Sequence, residues 1–476
     1  PIVLLREKKK LAMGVSVGFD KVGAMLPYMP FHYMLFEKLD LPALVLTSGN
    51  ISDEPIVIEN DIALESLSAI SDAVLIYNRD IFNRTDDSVA FVVNRRERLI
   101  RRSRGYAPQP VNLKLNVDGI FAAGAELVNA FCIGKGNQAI MSQHIGDLKN
   151  LEALEFYTES FERHKKLFRM KPELVVHDMH PDYLSTKFAK EMGIPAIEVQ
   201  HHHSHIASCM AEYNLDEKVI GVSFDGTGLG DDGHIWGGEF FVCDLADYKR
   251  YTHFDYIPLP GGDSVTKEPW RTAVSFLHKI YGKKFLGLDL PFLRDLDNSK
   301  LNLIVQAIEK NINSPLSSSA GRLFDAVAAL TNLCPVSKFH AEAPMRLEAV
   351  INFKEDGAYS FDFGDVISFE DTIREIVEDL KEGIPVADIS AKFHNTVINV
   401  VFGVVSMIRK ETGLDKVVLS GGTFQNRYIL QNVETILTLE GFKVYSQANI
   451  PSNDGGVALG QIAIAAKRRE LQISGT

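Results

Sequence analysis

Residues 218–243, KVIGVSFDGTGLGDDGHIWGGEFFVC, decide the fold. Two apolar runs, Lys218 to Phe224 and His234 to Cys243, flank a turn built from Asp225, Gly226, Gly228, Gly230, Asp231, Asp232 and Gly233. Valine, isoleucine and phenylalanine suit a pleated, buried surface, and glycine with aspartate ends it, so the stretch predicts two adjacent strands. Working upstream, the same design appears earlier. Gly119 to Glu126, Ala130 to Gly134 and Gln138 to His144 are short strand candidates, followed by a helix over about 150–170 and a strand at Leu174 to His177. A helix over 181–192 and a strand at Ala196 to Gln200 close that copy. Downstream, a strand at Lys416 to Leu419, a helix from Phe424, a strand at Lys443 to Tyr445 and a helix from about Asn453 close the second. Two copies of strands followed by β-α-β predict a duplicated α/β fold with a cleft between its halves. A helix-rich stretch over 255–395 reads as an insertion in the second copy.

The chain has 476 residues, 46% of them apolar, more than one core usually organises. Tyr106-Ala-Pro-Gln-Pro110 ends an earlier strand pattern because proline cannot donate to a ladder, which divides the chain into units 1–112 and 113–476. In the first unit Ala43 to Leu46 reads as a buried strand running into the turn Thr47 to Asn50. Ser88 to Val93 and Arg98 to Arg102 read as later strands. A net charge of −12 without a long basic run argues against a nucleic-acid-coating role. Four cysteines without a Cys-x-x-Cys pair argue for a reducing, cytoplasmic setting and against a zinc knuckle. No apolar run is expected to reach the ~20 residues of a membrane helix, and no signal peptide opens the chain. Starting at Pro1 rather than methionine, the sequence reads as a piece of something longer.

Four constellations carry chemistry. His201 and His205 lie four apart at the start of a helical run, so both imidazoles can face one ion, and imidazole suits zinc or iron. An isolated pair of this spacing is more simply a polar helix start. Asp225 and Asp454, each at a strand end in a glycine-rich turn, shift that balance, since carboxylates there emerge at one edge of a sheet; a cap or turn former is the plainer alternative for each. Ser420-Gly421-Gly422-Thr423-Phe-Gln-Asn426 follows a strand and opens a helix, the setting in which backbone N–H groups face phosphate. Gly226, Gly228 and Gly230 offer a second such turn, and Lys135 a phosphate-reaching cation. Ser319-Ala-Gly321-Arg-Leu-Phe-Asp325 places an acid where it can accept from ribose hydroxyls or simply face solvent. In the first unit Ser48, Asn50, Ser88, Arg101, Arg102 and Arg104 suit an anionic ligand, or an arginine-protected sheet edge.

These motifs, with Lys267-Glu-Pro-Trp-Arg271 and Ser452-Asn-Asp-Gly-Gly456, closely resemble the HypF family, carbamoyltransferases of [NiFe]-hydrogenase maturation. The resemblance covers essentially the whole chain. It implies the later portion of a YrdC-like domain followed by a Kae1/TsaD-like domain of the actin-like (ASKHA) superfamily. It implies a divalent metal, zinc or iron, on His201, His205, Asp225 and Asp454. It also implies ATP with Mg held by Lys135, Gly321, Asp325, Gly421, Gly422 and Asn426, and adenylate near Ser48, Asn50, Ser88, Arg102 and Arg104. The implied activity moves a carbamoyl group from carbamoyl phosphate, through carbamoyl adenylate, to the C-terminal cysteine of the partner protein HypE. The family's acylphosphatase-like and Cys-x-x-Cys modules and the early YrdC-like segment have no counterpart in these residues, so carbamoyl phosphate hydrolysis is not expected here. Transfer to tRNA or a small metabolite on the same fold is the nearest alternative, and a non-enzymatic ATP-binding scaffold the next. The roles of Arg271 and His394, substrate contact or structure, stay open.

Overall fold

The computed structural model describes residues 1–474 apart from positions 10, 13, 52 and 53. The N-terminal unit is a four-stranded sheet of order β2-β1-β3-β4, built from β1 (Ile2–Arg6), β2 (Lys21–Ala24), β3 (Val89–Val93) and β4 (Arg96–Arg101). Asn94 and Arg95, both at positive φ, turn the β3–β4 hairpin. Two helices, α1 (Pro30–Leu39) and α2 (Asn60–Ser66), connect the halves of this unit and bury none of their residues. The buried strand expected at Ala43 to Leu46 is absent. Those residues form no ladder, and Val45 and Leu46 are 85% and 59% exposed. Apolar sequence makes a strand only where a neighbouring edge accepts its N–H groups, and none of the described strands lies alongside.

The duplication is visible in the sheets. In the first lobe β5 (Val111–Asn112), β6 (Ile120–Ala122), β7 (Cys132–Lys135), β8 (Gln138–Met141), β9 (Leu174–Asp178) and β10 (Ala196–Val199) are ordered β10-β9-β6-β7-β8-β5. In the second, β11 (Val219–Phe224), β12 (Gly238–Cys243) and β13 (Tyr248–His253) join strands Lys416–Ser420 and Lys443–Ser446 in the order β13-β12-β11-(416–420)-(443–446). Counting each lobe from its first long strand, both read 3-2-1-4-5, with the 1-2 and 2-3 pairs antiparallel and the 1-4 and 4-5 pairs parallel. This is the duplicated actin-like architecture. Val111–Asn112 pairs with Gln138 and Ala139, so its backbone belongs to the first lobe's sheet edge.

Helices follow the third, fourth and fifth strands of the first lobe. These are α3 (Leu151–Phe168), capped by the Asn150 side chain on Ala153 N–H, then α4 (Leu184–Glu191) and α5 (His201–Glu212). The final helix, Val457–Ser474, occupies in the second lobe the place that α5 has in the first. The two pack against each other in a shared core containing Ile206, Met210, Leu459 and Ile462. Their crossing requires Gly460, because a Cβ there would collide with the Ser204 carbonyl oxygen. Residues 255–395 are helix-rich as expected. One helix, Val386–Thr412, is long and apolar enough to cross a membrane, contrary to the expectation of no such run. Its apolar positions serve the core instead, with Phe393, Val397, Val401, Val405 and Ile408 buried against the second lobe.

Candidate functional site

Two strand-to-helix junctions and the turn between β11 and β12 meet in the cleft. His201 starts α5 directly after β10, where Gln200 caps the helix by accepting from His203 N–H. Asp225 follows β11, and Asp454 opens a short 3-10 turn ahead of the final helix. One helical turn places His201 and His205 on the same face, toward both aspartates. The ligand atoms of His201, His205, Asp225 and Asp454 all lie within 4.8 Å of one another. His205 Nε2 is 3.2 Å from Asp225 Oδ2 and 3.5 Å from Asp454 Oδ1, and His201 Nε2 is 3.4 and 3.6 Å from the same atoms. His202 and His203 turn away. His203 Nε2 reaches the Asp244 carbonyl oxygen and His202 packs beside Trp236.

The charge balance fits a cation. Burial alone would lower the His201 pKa, but Asp178 and Asp454 hold it well above the ordinary imidazole range. His205 is likewise raised, burial being outweighed by Asp225. Burial would raise Asp225, yet His205 and His201 hold it well below the carboxylate range. For Asp454, burial and Asp225 push up and His201 pulls it lower. The carboxylates thus favour positive charge on the two imidazoles, and a divalent cation can take the place of their protons. Nε2 of His201 is buried without a hydrogen-bond partner, the donor atom a metal would use. Its other nitrogen, Nδ1, lies 2.7 Å from Asp178 Oδ2. A carboxylate behind the imidazole fixes the ring and the tautomer that leaves Nε2 free. Asp178 is 1% exposed and was absent from the residues proposed on sequence, although its place at the end of a parallel strand marked it.

The glycine-rich elements converge on Asp225. Gly422 N–H donates to Asp225 Oδ1 at 3.0 Å, so this turn orients a carboxylate of the cluster. Gly421, at φ 104°, lies so close to Phe224 that a Cβ would meet its carbonyl oxygen. Gly321 N–H donates to the Asp225 carbonyl, and a Cβ on Gly321 would sit 2.9 Å from Gly226 Cα. Asp325 is buried and paired with Arg322 at 2.9 Å; burial pushes its carboxyl up to about 6 against the pull of Arg322. Asn426 joins two elements of the second lobe. Its Oδ1 caps the helix Arg427–Leu439 and its Nδ2 faces His394 Nε2 at 2.9 Å. His394 itself is fully buried, with Nδ1 2.7 Å from the Ser390 carbonyl oxygen, and Arg271 pairs with Glu268 and donates to the Pro260 carbonyl. Both of the residues left open thus have structural partners.

Lys135 lies apart from this convergence. Its Nζ donates to the Phe168 carbonyl at the end of α3. Its hairpin turn bonds Asp118, which Arg469 grips from far along the final helix, roughly 18 Å from the Asp454 end at ~1.5 Å per residue. In the N-terminal unit the expected residues bond neighbouring backbone and one another. Arg102 is buried and donates to the carbonyls of Tyr106 and Gln109, which ties down the proline-rich turn. Ser88 accepts from Ser103 N–H and donates to the Arg104 carbonyl. Arg104 pairs with Asp87, Arg101 ends β4, and Ser48 and Asn50 bond each other in an exposed turn.

Fold and cluster together define an α/β protein with a YrdC-like unit ahead of an actin-like, Kae1-like pair of lobes that join at a buried His/Asp centre. Residues 221–461 match the carbamoyltransferase Kae1-like domain, second subdomain, residues 116–212 the HypF Kae1-like domain, and residues 1–103 the Sua5/YciO/YrdC family described as telomere recombination. Carbamoyltransferase HypF2 of Cupriavidus necator is 34% identical over 98% of this chain and 64% of its own length. HypF of Synechocystis is 35% identical over 99% of this chain and 63% of its own. A crystal structure of full-length HypF in a phosphate- and nucleotide-bound form is 50% identical, with a TM-score of 0.94 over 98% of this chain and 74% of that one. The chain belongs to the HypF carbamoyltransferase family. It spans less than two thirds of the length of these two curated relatives.

Proposed function

We propose that this chain is the carbamoyl-transferring portion of an ATP-using, cytoplasmic enzyme of [NiFe]-hydrogenase maturation. The observation that carries the proposal is the buried cluster of two imidazoles and two carboxylates at the lobe junction, in a chain of this family. His201, His205, Asp225 and Asp454 would hold a zinc or iron ion, which when bound supplies Lewis acidity toward a carbamoyl or phosphate oxygen. Asp178 keeps the His201 ring aimed inward, and Gly422 N–H keeps Asp225 turned toward the same point. The glycine turn around Gly226 and Gly228 would bring backbone N–H groups to the phosphates of ATP, which would arrive with Mg. In the N-terminal unit the exposed Ser48 and Arg104 and the half-buried Asn50 would contact adenylate.

The reaction we favour passes a carbamoyl group from carbamoyl adenylate to the C-terminal cysteine of HypE. The thiolate attacks the carbamoyl carbon, a C–S bond forms, the C–O bond to AMP breaks, and AMP departs with the electron pair. All four cysteines of this chain are buried, so an attacking thiol has to arrive on a partner. Upstream, carbamoyl phosphate would supply the group.

The test is intact-mass measurement of HypE after incubation with this chain and carbamoyl adenylate, and with the full-length parent given carbamoyl phosphate and ATP. A carbamoyl increment on the C-terminal cysteine, lost in Asp454→Ala, is the expected result. A metal-loaded parent that leaves HypE unmodified would move the acceptor to tRNA or a small metabolite, or reduce the fold to an ATP-binding scaffold.

A further inference from the structure

The segment Ser446 to Asn453 leads directly into Asp454, and three parts of the molecule hold it. On the cluster side, Gln447 Nε2 donates to Ser420 Oγ at 2.7 Å and lies 3.4 Å from the His205 carbonyl oxygen. Glu212, at the end of α5, accepts from the backbone N–H groups of Ala448 and Asn449. On the glycine-turn side, Gly421 N–H donates to the Ser452 carbonyl at 2.9 Å. The third part is the N-terminal unit. Arg98 of β4 is 3% exposed, and its Nη1 donates to the Ser446 and Gln447 carbonyls at 2.8 and 2.7 Å while Nη2 pairs with Glu434 at 2.7 Å. Leu99 N–H donates to the Ala448 carbonyl at 3.0 Å, and Asn453 Nδ2 donates to the Ile100 carbonyl at 3.3 Å.

We infer that Arg98 is a positioning residue for the metal centre: through the Ser446–Asn453 segment, the N-terminal unit fixes where Asp454 stands. Two of the segment's carbonyls take a guanidinium charge in a buried place, where an arginine fork is both strong and directional. Neutral contacts in water would not impose that geometry. The consequence is that cation affinity in one domain depends on a side chain of another. The inference rests on the cluster's being a metal site.

The test titrates zinc into the full chain in competition with a chelating dye. Groups that orient metal ligands typically contribute 10- to 100-fold in affinity, so Arg98→Ala is expected to weaken zinc binding about tenfold. Arg98→Lys, which keeps the charge but loses the fork, should fall between, and is the variant to read if Arg98→Ala does not fold. Arg427→Ala is the control. Arg427 belongs to the same interface, its Nη2 donating to the Val92 carbonyl at 3.1 Å, but its guanidinium bonds no part of the segment, so its loss should leave zinc affinity unchanged. Unaltered affinity in both Arg98 variants, or equal weakening in Arg427→Ala, overturns the inference while leaving the metal reading intact. Absence of zinc binding by the unmodified chain removes both.

Discussion

Helix α5 buries every residue from His201 to Ala211, whereas α1 and α2 of the N-terminal unit bury none. Both regions supplied candidate ligand residues. Around α5 they converge: four side chains from three chain segments arrive within 4.8 Å because packed helices and strands leave each one a single direction to point. In the N-terminal unit Ser48 donates to Asn50 Oδ1 while the Asn50 amide donates to the Ile51 and Glu54 carbonyls, and Arg102 and Ser88 serve neighbouring backbone. Polar side chains without a rigid frame spend their hydrogen bonds locally, and a preorganised site requires surroundings that deny them that choice.

The comparison breaks first at His205. His205→Ala should reduce zinc stoichiometry from one per chain to none while circular dichroism stays unchanged. Full retention of the ion would remove His205 from the centre. Next comes Asp325. Its folded-state carboxyl, at about 6, lies above the value near 3.8 of an unperturbed aspartate, so the folded form holds the proton more tightly. Its contribution to stability is complete below about pH 4 and is lost as pH rises through about 6, on the order of 3 kcal/mol. Urea denaturation across that range should show the decline, and Asp325→Asn should flatten it. A wild-type curve flat across the window would mean that Arg322 compensates the buried charge in full. Third, Asp178→Asn should weaken zinc about tenfold, or ~1.4 kcal/mol, by freeing the His201 ring. Unchanged affinity would show that packing alone orients the ring. Smallest of all, Ser48→Ala should move stability by under ~0.5 kcal/mol and leave ATP affinity at the lobe junction untouched. A large loss there would mean that the exposed turn is better framed than its neighbours suggest.

Periodicity made most of the two lobes legible, and the reason is visible in β11, where all six residues are buried, and in the repeated 3-2-1-4-5 order. The His201–His205 spacing also transferred directly, since a helix fixes which residues share a face. Asp178 was missed because its role depends on a neighbour, His201, on the next strand-to-helix junction. The Lys135 reading rested on a cation beside glycines, which looks the same in sequence whether it faces phosphate or bonds a helix end, and its Nζ donates to the Phe168 carbonyl. Ala43 to Leu46 misled because strand propensity carries no information about whether a partner edge is present.

The repeated topology bears on how such a centre came to have mixed donors. His201 and His205 come from the first lobe, Asp225 and Asp454 from the second, and His201 and Asp454 stand at equivalent points, each after the fifth strand of its lobe. Two identical subunits meeting across an axis must offer identical side chains to whatever sits between them. Two lobes of one chain are free of that constraint: here one offers imidazoles and the other carboxylates, and the repeat is confined to the backbone topology.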